Sequence, residues 1–259
     1  MIAILLADGF EEIEALTPLD ILRRAGLDVK TVAIGSKIAI GSHGISVICD
    51  VSASEVNLSE LTMVVLPGGM PGSLNLDASE HTAKMIDAVL ENGGRLAAIC
   101  AAPLVLGRRG LLDGKSAVCY PGFEDELKGA TIAETPVVTD GNITTAKGMG
   151  VATEFSLELV RVILGEKKAQ EISDAIMREG KVVSYEVKPS VKLGFFDEII
   201  AKSACAYTSC SADVTEEQLI SALAELEIDA CVTEIKKGPR VTQYKIKTAD
   251  RKTSCRERV

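Results

Sequence analysis

Short aliphatic runs alternate with stretches of helical periodicity up to about residue 179, and this alternation predicts an α/β fold. The runs at 2–6 and 63–66 are apolar at every position, as strands buried on both faces of a mostly parallel sheet require. Helices must then sandwich that sheet. Beyond Gly180 the texture changes, and the chain reads as a linker followed by a small α+β appendage.

Strands are expected at 2–6, 29–34, 63–66, 95–99, 117–119, 136–138 and 142–145. Helices are expected at 11–25, 78–91, 101–109, 151–164 and 167–178. Ile13, Leu16, Leu19 and Leu22 recur every third residue on the first helix, and Gly26 closes it. Pro18 inside that helix cannot donate to the carbonyl of Glu14, so a loosened turn is expected there. Residues 37–48 read instead as a small hairpin with a loose turn. In a parallel sheet of this kind ligands bind at the carboxyl ends of the strands. Cys100, the acidic cluster from Glu11 to Glu14 and Pro67-Gly68-Gly69 all fall there.

The residues 180–214 form the expected linker, with a possible strand from Val182 to Val187 and a Ser/Ala/Cys-rich stretch from Ser203 to Ser211. Thr215-Glu216-Glu217-Gln218 then opens a helix with capping chemistry, lined by Leu219, Leu223 and Leu226. Strands at 229–236 and 240–247 complete a helix–hairpin segment over 215–247, and 248–259 reads as a disordered tail. So little core must lean on something else. From 232 to 259 nine Lys and Arg face three acids, an excess that a solvated strand face explains better than a nucleic-acid site does.

The chain has 259 residues, of which 47% are hydrophobic and 3% aromatic, so its core must be aliphatic. A net charge of −9 argues against nonspecific attraction to nucleic acid or to an anionic membrane. The apolar start, Met1 to Ala7, is too short for a signal peptide or a span and reads as a first strand of a cytoplasmic protein. Seven cysteines without CxxC spacing suit a reducing compartment.

Some motifs fail on inspection. Gly110 to Ser116 has one residue too few between its glycines for a phosphate loop, and a helix ends there where one should begin. Gly148-Met149-Gly150 is a glycine short of a dinucleotide fingerprint, so no nucleotide cofactor is expected. No metal is expected either, because His43 and His81 are not spaced with cysteines or carboxylates as a ligand set.

Cys100 stands where Leu96-Ala97-Ala98-Ile99, a buried strand, runs straight into the helix that begins at Ala101. A side chain at such a corner is pushed into a sparsely used backbone conformation beside the first free N–H groups of a helix, which favour a thiolate. The alternative is a small buried hydrophobe.

Together, Gly9-Phe10-Glu11-Glu12-Ile13-Glu14, Leu22-Arg23-Arg24-Ala25-Gly26, Val64 to Gly69 and Ala97-Ala98-Ile99-Cys100-Ala101 resemble the ThiJ/PfpI family, in its Parkinson-associated deglycase-like branch. The resemblance covers residues 1–179 and implies a flavodoxin-like, class I glutamine amidotransferase-like sandwich, usually a homodimer. It implies that Cys100 is the reactive cysteine and Glu14 its partner, with backbone N–H groups of Gly68, Gly69 and Ala101 forming an oxyanion pocket. An ionised Glu14 would repel a thiolate, whereas a protonated one can donate to the sulfur, so a buried and largely neutral Glu14 is expected. Relatives with a histidine near the cysteine differ here, where Tyr120 holds that place and a Cys–His peptidase dyad is not expected. Lys147 stands where some relatives carry an arginine and offers an anion contact without bidentate geometry.

Three readings follow. The crevice converts small aldehydes or ketoaldehydes such as methylglyoxal to hydroxy acids through Cys100 and Glu14, or Cys100 is a protective oxidation sensor without turnover. In the third reading, older family naming points to thiazole biosynthesis and the corner is a scaffold. The appendage is similar to the opening of the α subdomain of FtsK/SpoIIIE translocases, without the motor, which leaves DNA or partner binding as its own alternative.

Overall fold

The computed structural model describes residues 1–185 in full and, beyond them, the backbone pairing of 206–211, 230–237 and 241–248. The chain divides into one unit over Met1–Val187 and a second over Lys188–Val259.

In the first unit, strands β1 (Ile2–Leu6), β2 (Val29–Ala33), β5 (Val51–Ser52), β6 (Met63–Leu66), β7 (Arg95–Ile99), β10 (Val137–Asp140) and β11 (Ile143–Ala146) form one sheet. Its order is β10-β11-β7-β6-β1-β2-β5. Every pairing is parallel except β10 with β11. The hairpin of β3 (Ile38–Ile40) and β4 (Ser46–Ile48) stands apart, as does the parallel pair of β8 (Ser116–Ala117) and β9 (Thr131–Ile132). The helices are α1 (Glu12–Arg24), α2 (Gly72–Asp77), α3 (Glu80–Glu91), α4 (Pro103–Arg108), α5 (Ala152–Leu164) and α6 (Glu166–Ala175). This is the mostly parallel, helix-flanked sheet of a flavodoxin-like fold.

Strand periodicity divides the core into two layers. Ile2, Ile4 and Leu6 of β1, with Met63, Val65, Ala97 and Ile99, pack beneath Leu22 of α1 and Phe155 of α5. Ala3, Leu5, Val64, Leu66, Leu96 and Ala98 pack on the other face against Leu76 of α2, Ile86 of α3 and Leu104 of α4. Both faces of β1, β6 and β7 are therefore sealed by hydrocarbon, and only their ends lead to loops that meet solvent.

Several sequence expectations shift. The helix expected at 78–91 begins only at Glu80, because Ser79 caps it by accepting from the Thr82 amide at 3.4 Å, and a separate short helix precedes it. The strand expected at 117–119 is confined to Ser116–Ala117. The Val118 amide donates to Thr145 Oγ1 and the Tyr120 amide to the Cys100 carbonyl, which leaves no ladder to extend. The helix expected from 101 starts at Pro103, the residue that needs no amide partner in a first turn. Helix α1 runs unbroken through Pro18.

No strand forms at 182–185, and the rest of that expected strand lies outside the described residues. The segment is instead fastened by Gln170 Oε1, which accepts from the Val182 amide, and by the Thr139 amide of β10, which donates to the Tyr185 carbonyl. Strand β12 (Ala206–Ser211) occupies part of the stretch read as linker. It pairs antiparallel with β14 (Val241–Thr248), which also pairs with β13 (Ala230–Lys237), giving the order β12-β14-β13. The helix expected at 215–226 and the tail after Thr248 lie outside the described residues. Among those residues no helix is long and apolar enough to cross a membrane.

Phe155 has no exposed surface and joins α5 to the sheet. Phe155→Ala should cost the first unit about 3–5 kcal/mol, read from urea unfolding of the full chain.

Candidate active site

The sheet order sets β11, β7, β6 and β1 side by side, so the loops leaving their carboxyl ends are neighbours. The loop after β1 leads into α1 through Glu11, whose carboxylate accepts the Glu14 amide at 2.7 Å and caps the helix. The Glu11 amide donates to the Gly68 carbonyl in the loop after β6. A β-carbon on Gly69, at φ 88°, would collide with the Glu11 amide and the Gly9 carbonyl, so these two loops close only with glycine there.

Cys100 follows β7 directly with φ 64°, in the left-handed region that costs a non-glycine residue energy. Its amide donates to the Ala146 carbonyl at 2.9 Å, and its carbonyl accepts the Tyr120 amide at 2.8 Å. Held in this way, its half-buried side chain turns toward the end of β6. A β-carbon on Gly68 would collide with both Glu14 Oε2 and Cys100 Cβ.

Glu14 is wholly buried. Its Oε2 accepts the Gly68 amide at 2.9 Å, whereas Oε1 is sealed from water without a hydrogen-bond partner. Burial pushes the Glu14 carboxyl up to about 7, and the neighbouring Glu11 charge adds to the rise. The Cys100 thiol and the amides of Gly68 and Met149 act the other way. Burial, followed by the negative charge of Glu14, pushes the Cys100 thiol up to about 12, against the amides of Ala101 and Gly69. Each group thus resists losing its proton while the other is ionised. The amides at the helix start, expected to favour a thiolate, are outweighed by burial and by the Glu14 charge, and protonation of Glu14 removes the second of these.

The remaining sequence candidates fall out unevenly. Tyr120 brings its ring to the corner: Cδ2 would lie 3.4 Å from a β-carbon placed on Gly148. Gly68, expected to help bind an oxyanion, has its amide taken by Glu14, and the amides directed at the sulfur are those of Gly69 and Ala101. The ammonium of Lys147, expected to meet an anion, donates at 2.6 Å to the Glu134 carbonyl.

His43 also departs from expectation. The tip of the β3–β4 hairpin brings it to Glu11 and Glu12, with one ligand-type atom of each within 4.8 Å of the others. Spacing could not reveal this, since some thirty positions separate the partners. The donors are already engaged, because Glu12 accepts both the amide and Nδ1 of His43 at 2.8 Å. Burial pushes Glu12 up, but these hydrogen bonds outweigh it and hold the carboxyl at about 2. The same contacts raise His43. Sequence reasoning also missed Gly148 as a wall of the corner.

A model of the DJ-1/PfpI family matches residues 1–162, and a model of the FtsK alpha domain matches 199–255. Protein DJ-1 homolog B of Arabidopsis thaliana is 39% identical over 174 residues, covering 66% of this chain and 40% of its own length. This chain therefore spans less than half of that relative. A protein of Pyrococcus abyssi named a deglycase is 30% identical over 165 residues, covering 62% of this chain and 98% of its own. The solved structure of oxidized Toxoplasma gondii DJ-1 is 33% identical with a TM-score of 0.67, covering 69% of this chain and 98% of that one. The family match runs from the first strand through the whole of the corner described above, and the chain belongs to the DJ-1/PfpI family.

Proposed function

We propose that the protein converts small 2-oxoaldehydes, such as glyoxal and methylglyoxal, to 2-hydroxy acids through Cys100 and Glu14. The observation that carries this reading is a wholly buried carboxyl beside a half-buried thiol: Glu14, with one oxygen lacking a hydrogen bond, next to Cys100 at φ 64°, whose sulfur meets the amides of Gly69 and Ala101. The thiolate adds to the aldehyde carbon, and the new alkoxide oxygen takes the proton from Glu14. The carboxylate so formed removes the hydrogen from that carbon and returns it to the adjacent carbonyl carbon, whose oxygen gains the hydroxyl proton, leaving a 2-hydroxy thioester on Cys100. Water then releases the hydroxy acid and restores the thiol. The sum is oxoaldehyde plus water to hydroxy acid, with no external oxidant. The Pyrococcus abyssi relative named a deglycase supports chemistry on carbonyl compounds.

A second reading has its own support. Glu14 Oε1 and the amides of Gly69 and Ala101 would serve the oxygens of a sulfinic acid equally well, and the Toxoplasma gondii relative is described in an oxidized form. Turnover decides between the two.

We also propose self-association of the first unit through Ile13 and the hairpin residues Ile38, Ile40, Ile45 and Ile48. All are exposed, Ile48 to 74%, and the hairpin tip is tied to the start of α1 by the His43–Glu12 contact.

Purified protein should produce lactate from methylglyoxal. Cys100→Ser should abolish this, and Glu14→Gln should lower it by about 10²–10⁴-fold. Selective oxidation of Cys100 by peroxide, with no lactate from the unmodified protein, would favour the sensor.

Glu14→Gln removes the charge and the hydrogen bond that, after burial, help hold the Cys100 thiol near 12, while burial keeps it above its ordinary 9.0. The pH midpoint for alkylation of Cys100, read from iodoacetamide rates against pH, should therefore move downward in Glu14→Gln; an unchanged or higher midpoint would show that the Glu14 charge is not what raises the thiol.

Light scattering on the full chain should give the mass of two copies. Ile48→Glu should shift it toward one copy without changing the helical circular dichroism signal.

A further inference from the structure

Gly148 ends the loop after β11, and its backbone is extended, with φ 161° and ψ −173°. Any residue adopts that conformation, so backbone shape does not call for glycine here. A β-carbon would lie 3.4 Å from Tyr120 Cδ2, 3.8 Å from Glu14 Oε1 and 3.9 Å from Cys100 Sγ. Carbon atoms pack best at about 3.5–4.0 Å, so a methyl group would sit there in contact with all three and collide with none. Gly68 and Gly69 are different, since a β-carbon on either would strike main chain. The missing side chain at 148 therefore leaves a carbon-sized space bounded by an aromatic ring, the carboxyl and the sulfur.

We propose that this space is the seat of the substituent the substrate carries beside its reacting carbonyl, and that Gly148 fixes how large that substituent can be. The inference rests on the reaction proposed above and narrows its substrate class to 2-oxoaldehydes bearing hydrogen or a short alkyl group. A group bonded to Sγ must lie well inside contact distance of it. The amides of Gly69 and Ala101 take the oxygen of the adduct, and Glu14 must keep its line to the moving proton. The remaining substituent goes where there is room, beside Gly148 and against the face or edge of Tyr120. Tyr120 is 52% exposed, so it stands as a wall at the mouth of the site.

Gly148→Ala places one methyl group in the seat. It should lower kcat/KM for methylglyoxal by about tenfold or more and for glyoxal by less than about threefold. Peroxide oxidation of Cys100, followed by intact mass, should stay within about twofold of the parent, because the oxidant has no substituent to seat. An equal effect on both aldehydes, or no effect on either, overturns the seat while leaving the proposed reaction in place. If the parent protein turns over neither aldehyde, the reaction fails, and the seat is read from the sulfur alone. Alkylation by iodoacetamide should then slow in Gly148→Ala while peroxide oxidation does not, and equal rates overturn it.

Discussion

The left-handed backbone at Cys100 is the constraint on which the chemistry of this chain is built. A non-glycine residue at φ 64° costs about 1–3 kcal/mol, and it persists only where its surroundings over-determine it. Here they do. The Ala146 carbonyl on β11 holds the Cys100 amide, the Tyr120 amide holds its carbonyl, and Ala101 and Ala102 beyond it are buried in the layer beneath α4. Two buried layers fix the strands, the strands fix the corner, and the corner fixes where the sulfur points.

Charge at this corner is arranged by subtraction. Glu11 and Glu12 are also largely buried, yet each is engaged: Glu11 by the first turn of α1, and Glu12 by the amide and ring of His43. Of the three, Glu14 alone has a buried oxygen that no donor meets in hydrogen-bond geometry. Three acids within four residues therefore take three roles, as helix cap, hairpin anchor and proton holder. The differences arise from the hydrogen bonds that folding supplies.

Much of this was legible in the residues. Uniformly apolar runs marked the sheet because strands sealed on both faces cannot alternate, and the strand-to-helix junction marked Cys100. What stayed hidden depended on distant pairings. His43 meets Glu12 only because a hairpin folds back over α1. Val118 left its expected strand because Thr145 takes its amide, and the Tyr120 amide just beyond that strand is taken by the Cys100 carbonyl. Gly148 belonged to a near-miss fingerprint, and only the approach of Tyr120, of Glu14 from α1 and of Cys100 from the end of β7 reveals it as a wall. The strand inside the supposed linker shows that composition is a poor guide where Ser, Ala and Cys pair by backbone alone.

The bond from the Thr139 amide to the Tyr185 carbonyl bears on where this chain can be cut. Strand β10 ends the sheet, and the segment before it leaves the first unit meets that free edge at Tyr185 and α6 at Val182, through Gln170. An expression fragment stopping at 179 would remove that covering and leave open hydrogen-bonding groups along a border strand, inviting clumping with other fragments. Trimming after Val187, where the first compact unit ends, keeps the border shielded.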